Sequence, residues 1–454
     1  MTITTSNPAT GETLEDYSEL TAEQIETKLA KAAETYASWS KTDYKTRTDL
    51  LSAIADAFEK NSEALGRQIT LEMGKTFASA KAEAEKCATA FRFYAEHGPA
   101  LLKDVRWERA DGNVYTRYLP IGPVLAVMPW NFPLWQAVRF IAPAIMAGNV
   151  GLLKHASVTM GCAEMMDRLI REAGAPEGLF QNLVIKSGAV AGILEDDRVV
   201  AATLTGSEGA GSAVAETAGK QLKKMVLELG GSDPFIVMPS ADIANAAEKA
   251  VKARIQNTGQ SCICGKRMIV HKDIYEDFME RFRAGMKAVR WGDPFDEGTD
   301  MGPLSSFEQR DTVLEQMEKV RGTDATVEFG GEAVGDGGAF MNAGIISGMT
   351  TENPLMEEEL FGPVAMVFKA EDIDDAIRIA NRSPYGLGSA VFTQDEAEQQ
   401  RFANEIESGM TAFNKVLASS PEAPFGGIKR SGYGRELSAF GLHEFMNAKT
   451  VFAD

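Results

Sequence analysis

Between residues 20 and 97, apolar side chains recur at intervals of three and four, the spacing that lines one face of an α-helix. Leu50, Leu51, Ile54, Ala55 and Phe58 form one such stripe, and Ile25, Leu29 and Ala32 form another. Thr21 stands three residues before Gln24, as in a capping box, where each side chain satisfies a free backbone N–H of the first helical turn. The pattern predicts consecutive helices laid on a core. It then changes period. Val105-Arg106-Trp107 and Val114-Tyr115-Thr116 flank Asp111-Gly112-Asn113, two β-prone arms around a turn, which predicts a hairpin within 104–120.

From about Ile121, short apolar runs alternate with amphipathic segments. Val124 to Val127, Val150 to Leu153, Asn182 to Ile185, Val199 to Leu204 and Met225 to Leu229 read as buried strands. Ala163 to Ala173 and Ala213 to Leu222 read as helices between them. A boundary is placed near Gly230-Gly231-Ser232. Beyond it come the strands Phe235 to Val237, Met268 to His271, Val364 to Phe368 and Ser389 to Phe392, with helices over Ile243 to Gln256 and Ile274 to Val289. Such alternation is the signature of an α/β chain built on doubly wound, mostly parallel sheets. Thr450 to Ala453 is a last strand candidate that needs a partner elsewhere.

Composition narrows the class. The 454 residues allow two or three domains, and 44% hydrophobic with 24% charged residues is ordinary for a globular protein. A formal charge of −19 argues against nucleic acid or an anionic membrane as a partner. Cys87, Cys162, Cys262 and Cys264 are too few for a disulfide scaffold and fit a reducing, cytoplasmic setting. The N-terminus has no basic and apolar leader pattern, no run is long enough to cross a membrane, and four scattered histidines do not predict a metal site.

Some stretches carry chemistry. Asn257 to Cys264 follows a helix and contains Gly259, so Cys262 is expected on a loop, either as a nucleophile or as a small buried thiol. In Pro129-Trp130-Asn131-Phe132-Pro133, after the strand ending at Val127, Asn131 is either an oxyanion donor or a turn residue. Glu228, inside an apolar run ending at Gly230-Gly231, is either a buried general base or a surface carboxylate. Thr205 to Gly211 is a glycine-containing strand-to-helix turn that could hold a pyrophosphate, although it lacks the G-x-G-x-x-G pattern.

Taken together, these stretches resemble the NAD(P)-dependent aldehyde dehydrogenases over nearly the whole chain. The shared motifs are Asn7 to Glu12, Pro129 to Pro133, Thr205-Gly206-Ser207, Glu228 to Gly231, Gly259 to Cys262, Glu359 to Pro363 and Pro424 to Gly427. The resemblance implies a variant Rossmann cofactor domain (1–103 and 121–230), an α/β catalytic domain (231–438) and a β-ribbon for oligomerisation (104–120 and 439–454). It implies a soluble homodimer or homotetramer acting on a small aldehyde. Carried over by motif, Cys262 is the nucleophile, Asn131 the oxyanion donor and Glu228 the base that hydrolyses the thioacyl enzyme. CoA-acylating relatives lack that glutamate. Trp130, Lys154, Gly206, Ser207, Glu359 and Phe361 match the cofactor site.

Departures from the family pattern refine this expectation. Ser157 stands where NAD-preferring members carry a glutamate on the ribose hydroxyls, which implies NADP, with NAD weaker. His155 replaces a proline of the pattern. Arg139 and Ser419 (or Ser420) match positions that hold the distal carboxylate in the members acting on succinate semialdehyde, whereas Gln256 stands where some of these carry a second arginine. Arg139 has the alternative of lying on a helix surface. Cys264, two residues after Cys262, is expected as a redox partner, as in some of the same members, or else as a buried thiol behind the loop.

Overall fold

The computed structural model describes residues 2–108 and 112–453. The chain opens with a hairpin, β1 (Thr2–Ser6) and β2 (Thr13–Ser18), and four helices follow: α1 (Ala22–Trp39), α2 (Tyr44–Lys60), α3 (Ser62–Met73) and α4 (Phe77–Leu101). The capping box at Thr21 and Gln24 is present, and Leu50, Leu51, Ile54, Ala55 and Phe58 all face the core. β3 (Val105–Trp107) and β4 (Asn113–Pro120) pair antiparallel with Trp107 opposite Val114; Asp111 of the expected turn lies outside the described residues.

The first parallel series is β5 (Pro123–Met128), α5 (Trp135–Ala147), β6 (Val150–His155), α6 (Met160–Glu172), β7 (Phe180–Asn182), α7 (Val190–Glu195), β8 (Ala201–Thr205), α8 (Glu208–Lys220) and β9 (Lys224–Glu228). β7 sits two to three residues earlier than the apolar run Asn182 to Ile185 predicts. Phe180, Gln181 and Asn182 pair with Gly151, Leu152 and Leu153, and the later residues pack as loop.

The second series is β10 (Asp233–Val237), α9 (Ile243–Ile255), β11 (Gly265–His271), α10 (Tyr275–Ala288), α11 (Phe307–Arg321), β12 (Thr326–Phe329), β13 (Gly344–Ser347), β14 (Val364–Ala370), α12 (Ile373–Asn381), β15 (Tyr385–Gly386), β16 (Gly388–Phe392), α13 (Glu396–Glu405) and β17 (Met410–Phe413). The chain then returns through β18 (Ile428–Lys429), β19 (Gly432–Tyr433), α14 (Ser438–Glu444) and β20 (Met446–Ala453).

Two sheets dominate, as the alternating pattern predicts. One has the order β19-β9-β8-β5-β6-β7 and is parallel except for β19; the other has the order β12-β13-β14-β11-β10-β16-β17 and is parallel except for β12. Strands of both are buried on two faces, which is why they read as continuous apolar runs rather than alternating ones. The terminal strand finds its partner: β20 lies beside β4 over its full length. The carboxyl ends of β5 and β8 and the loop before β11 border one cavity, where the candidate residues gather.

Candidate active site

The loop that carries Cys262 is strained. After α9 the chain places Asn257 (φ 55), Thr258 (φ 55) and Gly259 (φ 77) in the left-handed region in succession. A β-branched residue there costs on the order of 1–3 kcal/mol, so neighbours must hold it. They do: Asn257 Nδ2 donates to the carbonyls of Asn131 (2.8 Å) and Gln260 (2.9 Å), and Thr258 Oγ1 donates to Gly302 O at 3.2 Å. Gly259 is needed for space as well as conformation, because a Cβ there would lie 2.2 Å from Gly362 O. The buried Arg254 donates to the carbonyls of Gly259, Leu360, Gly362 and Gly265.

Cys262 stands where two cavities meet, and it lines both. Burial pushes its thiol up to about 12, with the charges of Arg139 and Lys266 pulling the other way. In this state the group is a thiol, and an accepting base is needed to make it a nucleophile. The fully buried Lys266 donates to the Ser261 and Cys262 carbonyls, both at 2.8 Å, and pairs with Glu359 at 2.9 Å. Asn131 is 4% exposed. Its Oδ1 accepts from Gln136 Nε2 at 2.9 Å and its Nδ2 donates to Gln260 O at 3.1 Å, which leaves one amide hydrogen for a ligand oxygen. Lys75 Nζ, paired with Glu83 at 2.6 Å, donates to Asn131 O at 2.9 Å and so fixes the loop from behind.

The first cavity, about 270 Å³, is bordered by Trp130, Asn131, Thr205, Gly206, Ser207, Gly230, Glu359 and Phe361. Ser207 caps α8 by accepting from Ala210 N, so the positive end of that helix opens toward the cavity. Glu359 also accepts from Gly231 N at 3.2 Å, and Phe361 meets Trp130 edge-on at 5.8 Å. Lys154 and Ser157 lie at and just beyond the carboxyl end of β6 but do not border the cavity. Lys154 is half-buried, and no carboxylate among the described residues pairs with it. A helix N-terminus, an uncommitted ammonium, a hydroxyl and a carboxylate are a donor set that fits the phosphates and ribose of a dinucleotide.

The second cavity, about 180 Å³, is bordered by Lys86, Phe132, Trp135, Arg139, Ser419 and Phe425 as well as Cys262. Arg139 is 3% exposed, which removes the surface-helix alternative. Its Nε faces Glu436 at 2.6 Å, and its guanidinium stacks on Phe425. Ser419 rather than Ser420 borders the cavity, and its Oγ accepts from Lys86 Nζ (3.0 Å) and Trp135 Nε1 (2.9 Å). Sequence reasoning missed Lys86 and Glu436. Lys86 lies on an otherwise ordinary helix face, and Glu436 falls outside every motif.

Glu228 is 2% exposed, so it is not a surface carboxylate. Burial, then the neighbouring Glu436 charge, pushes its carboxyl well above the usual range. Neither of its oxygens has a hydrogen-bond partner, and it borders neither cavity; its carboxyl lies beside Gly426, where a Cβ would come within 2.6 Å. Cys264 is buried, with Sγ donating to Gln256 O at 3.4 Å, and Cys264 N donates to Ser261 O, so the chain between the two thiols is bent.

The chain belongs to the aldehyde dehydrogenase family, whose pattern it matches over residues 1–451. Among curated relatives it is 51% identical to a protein of Mycobacterium bovis named succinate-semialdehyde dehydrogenase [NADP(+)] 1, covering all of both chains. It is 50% identical to a succinate-semialdehyde dehydrogenase [NADP(+)] of Mycobacterium avium, over all of this chain and 97% of that one. Among solved structures, a succinic semialdehyde dehydrogenase of Streptococcus pyogenes in complex with NADP+ superposes with a TM-score of 0.97 at 38% identity, covering 99% of each chain.

Proposed function

We propose that this enzyme oxidises succinate semialdehyde to succinate with NADP as its preferred cofactor, NAD being used less well. The observation that carries the reading is the position of Cys262 at the meeting of two cavities. One has the donors for a dinucleotide; the other has two cations and a hydroxyl for an acidic aldehyde. The curated relatives named above support both the aldehyde and the cofactor.

In this mechanism Cys262 Sγ attacks the aldehyde carbon, and its proton leaves to a base as the C–S bond forms. The oxyanion of the thiohemiacetal accepts from Asn131 Nδ2 and the Cys262 backbone N–H. Trp130, Lys154, Ser157, Gly206, Ser207, Glu359 and Phe361 would hold NADP, which would supply the acceptor for the hydride that the thiohemiacetal carbon loses in becoming a thioacyl carbon. Glu228 then takes a proton from water as that water attacks the thioacyl carbon, the C–S bond breaks and the acid is released. Burial raises the affinity of this carboxylate for a proton above that of an exposed glutamate, which strengthens it as a base once its side chain or a water chain reaches Cys262. Ser157 in place of a carboxylate leaves Lys154 free for a 2′-phosphate.

The same reading assigns the cofactor domain to 1–103 and 121–230, the catalytic domain to 231–438, and an oligomerisation ribbon to 104–120 and 439–454. It also makes Cys264 a redox partner that could close a disulfide onto Cys262. The test is a set of initial rates with succinate semialdehyde and butanal, each with NADP and NAD, using Cys262→Ala as the blank. Highest kcat/KM for succinate semialdehyde with NADP is expected; equal values for the two aldehydes would remove the acidic-substrate reading.

A further inference from the structure

The aldehyde cavity contains three charged side chains, and only one of them is uncommitted. Glu83 pairs with Lys75 and accepts from the backbone N–H groups of Leu134 and Trp135. Arg139 is neutralised by Glu436, is packed on Phe425, and reaches Thr205 Oγ1 at 3.5 Å. Lys86 has no carboxylate in ion-pair contact among the described residues. Its nitrogen rests 4.2 Å from the centre of the Trp135 ring and donates to Ser419 Oγ. The charge left over in the cavity is therefore one positive charge, and it sits on Lys86.

Ser419 sharpens the point. Its oxygen already accepts from two donors, Lys86 and Trp135, so both lone pairs are used. The hydroxyl hydrogen must then be donated elsewhere, and an anion beside the ammonium is the natural acceptor. A carboxylate there would take a charge-assisted hydrogen bond from the lysine and a second bond from the serine.

We propose that Lys86 is a specificity-determining residue, its ammonium acting with the Ser419 hydroxyl to hold the distal carboxylate of an aldehyde acid whose carbonyl lies at Cys262. This rests on the acidic-aldehyde reading above and adds to it, beside Arg139, the cation of the cavity that no carboxylate among the described residues neutralises. Burial, with Arg139 adding to it, draws the Lys86 ammonium down to about 8. The other titratable groups facing it are Glu83 and Cys87 on its own helix, and Arg139 and Cys262 across the cavity.

The experiment measures the ratio of kcat/KM for succinate semialdehyde to that for butanal, its uncharged four-carbon counterpart. Lys86→Met keeps the stem and removes the charge, and should lower the ratio by about tenfold or more, the scale of a hydrogen bond to a charged group. Ser419→Ala, which leaves the charge, should lower it less. Lys86→Arg should retain most of it and should lose the fall in the wild-type ratio expected above about pH 8. If the wild type prefers the acidic aldehyde and Lys86→Met keeps the ratio, the lysine assignment is overturned while the substrate reading stands. If the wild type shows no preference, the substrate reading falls and this proposal with it. Equal losses in Lys86→Met and Ser419→Ala would make the lysine a mere support for the serine. If Lys86→Met fails to fold, the pH dependence of the wild type against Lys86→Arg decides alone.

Discussion

His155 gives the clearest link between a departure from the family pattern and a measurable property. It ends β6, is fully buried, and bridges two segments: one ring nitrogen meets Pro133 O at 2.8 Å, the other Thr159 Oγ1 at 2.9 Å. Nε2 therefore carries the hydrogen, and Nδ1 accepts from the threonine. A proline could make neither bond, so the imidazole pins the loop that bears Asn131. Burial, with the nearby Lys154 charge, draws this histidine from 6.5 to about 4. The unfolded chain thus binds the proton more readily than the folded one. Stability from the neutral ring is fully present above pH 6.5 and is lost as pH falls toward 4. At about 1.36 kcal/mol per pKa unit, the loss reaches roughly 3 kcal/mol. For 454 residues this corresponds to about 3 °C in melting temperature. The assay is the melting temperature from pH 7.5 to 4.5 for wild type and His155→Gln, whose amide can donate to Pro133 O without titrating. The wild-type curve should fall more steeply than the variant's. Parallel curves would refute the claim that His155 is held neutral.

Three further outcomes follow from the site. Glu228→Gln should give a burst of reduced cofactor and then turnover slowed by on the order of 10²–10⁴, read by stopped-flow absorbance; an unchanged steady state would assign the base elsewhere. Ser157→Glu should move the NADP-to-NAD ratio of kcat/KM toward NAD by about tenfold or more, equivalent to roughly 1.4 kcal/mol; a fixed ratio would place phosphate selectivity at another residue. Mild peroxide followed by dithiothreitol should inactivate and restore the wild type with loss of two hydrogens across the Cys262–Cys264 peptide. Identical behaviour of Cys264→Ala would end the redox-partner assignment.

The fold was legible where side-chain periodicity reports burial directly. The stripes of α1 and α2 and the apolar runs of β5, β6, β10 and β11 each mark one element. α5 was not legible, because every residue of Trp135–Ala147 is buried and no polar face breaks the run. The short strands β12, β13 and β17 lie toward the sheet edges, with little apolar length to mark them. In the site, motifs marked the loops that approach Cys262. They did not mark the charges that balance one another across the fold. Glu436 beside Arg139, and Glu359 beside Lys266, are brought together from distant parts of the chain, and no local spacing encodes their meeting.

Arg254 has a consequence for how this enzyme can change over evolutionary time. One guanidinium holds the carbonyls of Gly259, on the strained turn before Cys262, and of Leu360 and Gly362, which flank Phe361. The turn before Cys262 and the loop carrying Glu359 and Phe361 are thereby a single mechanical part. A shift of either loop away from the other would break a buried bond to the guanidinium that both share. The outer ends, on α4, around Ser419 and after β6, lie outside this clamp. On the proposed reading, side chains at those outer ends can be exchanged one at a time while the spacing between Cys262 and Phe361 is kept.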